Sequence, residues 1–165
     1  MKIKSERVVY KNYRTITERI YIDKEGKESI WELRGGKYLG VGIIALTKDD
    51  KIILVKEFRP VPNKYYIDIP GGTTEGNEDP ISCAKRELLA ETGYVGKSFK
   101  ILGKYFLDSY SVNPHYTILI KDCTYLEQKE DLKVILKPYK EYLKNINPKN
   151  TVNLHSLYLA KEYLL

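Results

Sequence analysis

Residues 40–58 constrain the fold most: GVGIIALT and KIILVKEF flank the polar trio Lys48-Asp49-Asp50. Two apolar runs joined by so short a turn predict a hairpin. Successive strand residues point to opposite faces, so strands apolar at nearly every position need cover on both. This predicts a sheet sandwiched between helices. RPVPNK then reads as a proline-broken loop, and YYIDIP as a short strand ending at Pro70, with Gly71 and Gly72 next. FKILGKYFLDS and YTILIKDCTYL read as two further strands joined around Asn113-Pro114-His115, and LEQKEDLKVIL as an acidic loop running into a strand. Pro138 opens a short helix in PYKEYLKNI, and Val152, Ser156, Leu159 and Tyr163 mark a C-terminal helix. Ahead of the hairpin, VVY, TITERIYID and ESIWELRGG predict two or three short antiparallel strands. Ile16, Ile20 and Ile22 share one side, with a slip near Glu18. So small a sheet should pack on the rest of the chain or on a second copy.

A chain of 165 residues is about one domain long and can bury roughly two-thirds of its unfolded surface. With 42% apolar and 30% charged residues it is too apolar for a disordered segment. The net charge of +6 would favour anionic partners, with plain surface chemistry as the equal alternative. Its lysines are scattered, with no block of like charge, which fits a polyphosphate-bearing small molecule better than nucleic acid. Cys83 and Cys123 form no CxxC pair, and His115 and His155 are isolated, against a disulfide framework or a zinc site. The opening MKIKSERVVYKNYR has no apolar signal region, and no run approaches the ~20 residues that cross a bilayer. The expectation is a soluble, cytoplasmic protein with no membrane partner.

The chemistry is concentrated in residues 71–94, GGTTEGNEDPISCAKRELLAETGY. Asp79 is a helix N-cap, Pro80 suits the first helical position, and Thr92-Gly93 ends the helix. Ile81, Ala84, Leu88 and Glu91 share a stripe, with Cys83 and Glu87 beside it. Glu87 and Glu91, four apart, project from one face. A solvated acidic face is the ordinary fate of such a pair. Here, however, Pro70-Gly71-Gly72 lets backbone approach a ligand closely and offers carbonyl oxygens to join carboxylates around a hard cation such as Mg²⁺.

This arrangement resembles the Nudix hydrolase signature. That signature is a glycine, five residues, a glutamate, seven residues, Arg-Glu, an aliphatic residue, any residue, Glu-Glu, any residue, glycine and a bulky apolar residue. Gly72, Glu78, Arg86, Glu87, Leu88, Glu91, Gly93 and Tyr94 stand at the required spacing, and Ala90 departs from it. The resemblance implies an α/β (α+β) Nudix fold, with residues 1–38 as an N-terminal β lobe for dimerisation and 39–165 as the hydrolase domain. It implies Glu87, Glu91 and the Gly71 carbonyl as ligands of Mg²⁺ (or Mn²⁺). Glu78 and Arg86 become an ion pair tying loop to helix, in a box completed by Gly72 and Gly93. Ala90 implies fewer or more weakly held ions. The general base of the family often lies outside the box, and residues 126–131 supply Glu130 as first candidate and Glu127 as second. A solvated acidic loop is the plain alternative.

Outside the box the chain resembles the ADP-ribose pyrophosphatase branch: a strand lobe comes first, VKEFRP places Arg59 after a central strand, IDIPGG approaches the box, and TVNLHSLYLAKEYL closes the chain. The branch implies a homodimer that splits the pyrophosphate of ADP-ribose, or a related nucleoside diphosphate sugar, into AMP and a sugar phosphate. Arg59 would bind phosphate or ribose, or else form a surface ion pair. Trp31 would stack on adenine, or else serve core or interface. Tyr110 follows Ser109 where the branch usually has proline, and resembles the base-stacking tyrosine of dinucleoside polyphosphate hydrolases. That is the alternative enzyme. A nucleotide sensor without turnover is a third reading, motivated by Ala90.

Overall fold

A computed structural model describes residues 1–12, 14–36 and 38–165. Met1–Leu39 with Phe106–Pro114 form one unit, and Gly40–Tyr105 with His115–Leu165 a second. In the first unit β1 (Lys2–Lys11), β2 (Thr15–Ile22) and β3 (Glu28–Gly35) make an antiparallel meander. The Asp23 carboxylate shapes the second turn by accepting the Glu25 and Lys27 N–H groups, each at 2.9 Å. Pairing between β2 and β3 runs unbroken from Thr15 to Ile22, so there is no slip at Glu18. The irregularities fall opposite, in β1, between Ile3 and Ser5 and between Val8 and Tyr10. As an edge strand, β1 has a partner on one side only to hold its register. All ten of its residues are exposed. Residues 106–114 clasp β3: the Arg34 N–H donates to the Tyr110 carbonyl at 2.8 Å, the Val112 N–H to the Arg34 carbonyl at 2.9 Å, and Arg34 pairs with Asp108 at 2.5 Å.

The second unit contains β4 (Gly40–Thr47), β5 (Lys51–Arg59), β6 (Lys64–Asp68), β7 (Gly71–Thr73), α1 (Pro80–Thr92), β8 (Tyr94–Val95), β9 (Ser98–Phe106), β10 (Pro114–Tyr125), β11 (Lys133–Pro138), α2 (Tyr139–Lys144) and α3 (Leu154–Leu164). The sheet order is β11-β5-β4-β10-β8, with β6 beside β5, β7 beside β4 and β9 beside β10. The apolar hairpin forms, but β4 and β5 pair only at Leu46 and Ile52, next to the turn. Beyond it β5 runs antiparallel to β6 and β11, while β4 pairs in parallel with β10 and antiparallel with β7. The mixed sheet is covered on both faces. On one, Ile43, Ala45, Ile53, Ile118 and Ile120 pack with Cys83, Ala84 and Leu88 of α1. On the other, Ile44, Leu46, Ile52, Leu54 and Leu119 pack with Leu143 of α2 and with Leu157 and Ala160 of α3. Each fully buried Leu or Ile contributes about 1.5–3 kcal/mol.

The inward face of α3 differs from expectation. Ser156, Leu157 and Ala160 are buried, whereas Val152 and Tyr163 are each 48% exposed. Ser156 lies inward because α3 runs close over Gly42, where a Cβ would meet the Ser156 Oγ at 2.5 Å. Its hydroxyl is satisfied by Thr117 Oγ1 and the Tyr105 hydroxyl, both at 2.9 Å. Buried Asp68 ties β6 to the chain entering α3 by accepting from the Thr151 hydroxyl at 2.8 Å and the Val152 N–H at 2.9 Å. No described helix is long and apolar enough to cross a membrane.

Candidate active site

The ends of α1 follow from its sequence. The Asp79 carboxylate accepts from the Ile81 and Ser82 N–H groups at 2.8 and 3.1 Å, Pro80 starts the helix, and Gly93 ends it at φ +73°. That end also carries a loop. A helix leaves its last four carbonyls unpaired, and here residues 126–130 hang from that end of α1. The Leu126 and Glu127 N–H groups donate to the Gly93 carbonyl at 2.7 and 3.2 Å, and those of Lys129 and Glu130 to the Ala90 carbonyl at 3.2 and 2.9 Å. Gln128 Nε2 donates to the Glu91 carbonyl at 2.8 Å. The loop comes so close that a Cβ at Gly93 would lie 2.7 Å from the Gln128 nitrogen. Glu127 and Glu130 are thus both anchored at the end of the box helix, through their backbones.

Glu91 is buried, 8% exposed, with its Oε2 accepting the Gly71 N–H at 3.1 Å. Burial lifts its carboxyl to about 8; the Gly71 bond opposes this, and the charges of Glu87, Glu57 and Glu130 add to it. Glu87 is also raised, by burial first, against the opposing pull of Arg86, whose Nη1 lies 2.9 Å from Glu87 Oε1. Gly72 makes room for this carboxylate: a Cβ there would lie 2.1 Å from Glu87 Oε1. Arg86 also grips Glu78 in a two-pronged pair, Nε to Oε1 at 3.1 Å and Nη2 to Oε2 at 3.0 Å, and donates to the Thr73 carbonyl at 3.0 Å. The guanidinium holds the Glu78 carboxyl below its usual range. Loop, glycine turn and helix are fastened together by this one side chain.

Glu57 was not singled out by the sequence reading. It is half-buried on β5, pairs with Arg59 at 2.7 Å, and adds its charge to the field on Glu91. The only sequence signal is its place two residues before Arg59 in VKEFRP. The Arg59 Nε is buried without a hydrogen-bond partner. Trp31 and Tyr110 both lie in the first unit, where their rings stack on each other at 5.9 Å and 29°. The second unit therefore gathers Gly71, Gly72, Glu78, Arg86, Glu87, Glu91, Gly93, Glu127 and Glu130 around α1, and Glu57 connects Arg59 to them.

The donor set is all oxygen, the chemistry of a hard divalent cation. Among the described residues no three acidic side chains converge as they stand. Glu87 is occupied by Arg86 and Glu91 by the Gly71 N–H. Like charges crowd a buried Glu91, and a cation would relieve that repulsion. The residues fit a divalent ion held by Glu87 and Glu91, with Glu87 turning from Arg86 to take it.

The NUDIX domain family matches residues 36–151 of the chain. The ADP-ribose pyrophosphatase of Bacillus subtilis (strain 168) is 36% identical over 93 residues, covering 56% of this chain and 50% of that protein. The ADP-ribose pyrophosphatase of Saccharomyces cerevisiae is 38% identical over 89 residues, covering 47% of this chain and 38% of that protein. The chain spans half or less of the length of these curated relatives. A crystal structure of an ADP compounds hydrolase matches with a TM-score of 0.80 over 99% of this chain and 93% of its own, at 20% identity, which is a likeness of fold.

Proposed function

The chain belongs to the Nudix family, and from that premise we propose that it is a pyrophosphohydrolase that cleaves ADP-ribose, or a related nucleoside diphosphate sugar, into AMP (or another nucleoside monophosphate) and a sugar phosphate. The observation that carries this reading is the docking of residues 126–130 on the end of α1, which brings Glu130 into the field of Glu87 and Glu91. Mg²⁺ or Mn²⁺ would be held by Glu87, Glu91 and the Gly71 carbonyl. Bound there, such an ion neutralises pyrophosphate oxygens and lowers the pKa of the attacking water. Glu130, ahead of Glu127, is the carboxylate that would take a proton from the attacking water. The unpaired Arg59 Nε donates to a phosphate oxygen, and Arg86 with Glu78 positions the glycine turn against the helix. Trp31, with Tyr110 stacked on it, is assigned to the base of a substrate held by the partner subunit of a dimer. The similarity to ADP-ribose pyrophosphatases over about half the chain supports the substrate class.

Ala90 removes one family carboxylate, so the site holds fewer ions or holds one more weakly. Tyr110 keeps the dinucleoside polyphosphate reading as second choice. The test is a product assay of purified protein with ADP-ribose, a nucleotide sugar and diadenosine tetraphosphate in Mg²⁺, beside Glu91→Gln. AMP and ribose 5-phosphate from ADP-ribose, with a loss of ~100-fold or more in the variant, is the expected result. Cleavage of the dinucleotide alone transfers the assignment to the second reading. Nucleotide binding with no turnover in excess metal makes the chain a sensor.

A further inference from the structure

A separate cavity of about 540 Å³ opens in the second unit, within the ~300–1,000 Å³ of small-molecule sites. Its walls come from β6, the end of β11, α2 and the turn that follows, and its floor includes Leu157. Leu157 and Tyr142 belong to the apolar layer on the face of the sheet opposite α1, and no box residue lines the cavity.

The walls combine rings, two cations, amides and one carboxylate, Glu141. Tyr65, Tyr66 and Tyr142 supply aromatic surface. Lys64 Nζ lies 5.1 Å from the Tyr66 ring centre and Lys137 Nζ 5.8 Å from that of Tyr142. Among the described residues neither ammonium has a carboxylate partner. The Asn147 Oδ1 is taken by the Lys149 N–H, which leaves its amide N–H₂ to donate. Free phosphate would leave the rings idle, and an uncharged aromatic would leave unused the net positive charge that Lys64 and Lys137 keep over Glu141. A molecule with both an aromatic ring and an anionic group uses the whole wall, the ring by stacking and the anion by charge.

The geometry points to a second binding site, for a nucleoside monophosphate, with its base against the tyrosines and its phosphate at Lys64 and Lys137. This assignment is independent of the reading of the box. The test is calorimetric titration of the full chain with AMP, adenosine and inorganic phosphate, each in EDTA so that the box holds no metal. Three proteins are compared: wild type, Glu91→Gln, and Lys64→Ala/Lys137→Ala, whose substituted lysines are exposed. The expected result is one AMP per chain, bound at least tenfold more tightly than adenosine or phosphate. Binding is unchanged in Glu91→Gln and weakened at least tenfold in the double variant. Tyr65→Ala, at a residue 63% exposed, should weaken AMP and leave phosphate unaffected. No AMP binding in EDTA, full binding by the double variant, or phosphate binding as tightly as AMP each overturns the proposal.

Discussion

Gly72 and Glu87 show how one missing carbon sets a carboxylate in place. A Cβ at position 72 would displace the Glu87 carboxylate, yet the obstructing atoms are the far end of a flexible side chain. Gly72→Ala should therefore cost activity at least tenfold with little change in the unfolding midpoint, and the gain in Tm on adding Mg²⁺ should shrink. Parallel kinetics and thermal scans check both. The spacing from Gly72 to Tyr94 was legible in the sequence because its contacts, Gly72 with Glu87 and Arg86 with Glu78 among them, all close within one continuous strand-loop-helix stretch. The departure at Ala90 was legible too, but not the use of its carbonyl to hold Lys129 and Glu130. Glu57 was hard to read for the same reason: its place two residues before Arg59 is a faint mark, and its influence on Glu91 arises only once β5 and α1 are packed.

At the scale of elements, α1 joins two tasks, an apolar stripe into the sheet and an acidic face toward the glycine turn. Leu88 is 1% exposed within that stripe, so Leu88→Ala should cost about 2–5 kcal/mol, read as a lower urea midpoint with an unchanged slope. The Glu78–Arg86 clamp gives a pH signature. Because the folded state holds the Glu78 carboxyl below its ordinary value of 4.5, its contribution is present above that pH. It is lost as pH falls through the depressed folded value. Stability of Glu78→Gln should be lower than wild type at neutral pH, and the gap should narrow on acidification below pH ~4.5; unfolding titrations from pH 7 to 3 measure it. The caps of α1 were readable from Asp79, Pro80 and Gly93. The inward face of α3 was not, because a serine in the core makes sense only beside Gly42, Thr117 and Tyr105, each remote in sequence.

For the whole molecule, the first unit leaves Ile3, Val8, Val9, Tyr10, Ile30 and Trp31 exposed on a three-stranded sheet. Sheets of this size are marginal alone. We expect a homodimer, with light scattering at twice 19.2 kDa; a monomer mass at micromolar concentration would remove that expectation. Layering around the apolar hairpin was legible from composition along the strands, but strand order was not. The runs at 40–47 and 114–125 say that both strands are buried, not that they lie side by side in parallel.

That parallel pairing governs how the chain can be made. During synthesis β4 leaves the ribosome long before β10, so at about 5–20 residues per second Ile43 and Ile44 wait roughly 4–15 s for Ile118 and Leu119 to be added beside them. A nascent chain stopped at Tyr110 would carry every residue from Gly72 to Tyr94 and still lack the strand that closes the sheet under Cys83, Ala84 and Leu88. Having the full signature and having a folded domain are therefore separate events in the life of this chain, and in the interval between them its apolar strands lack the neighbour that will cover them.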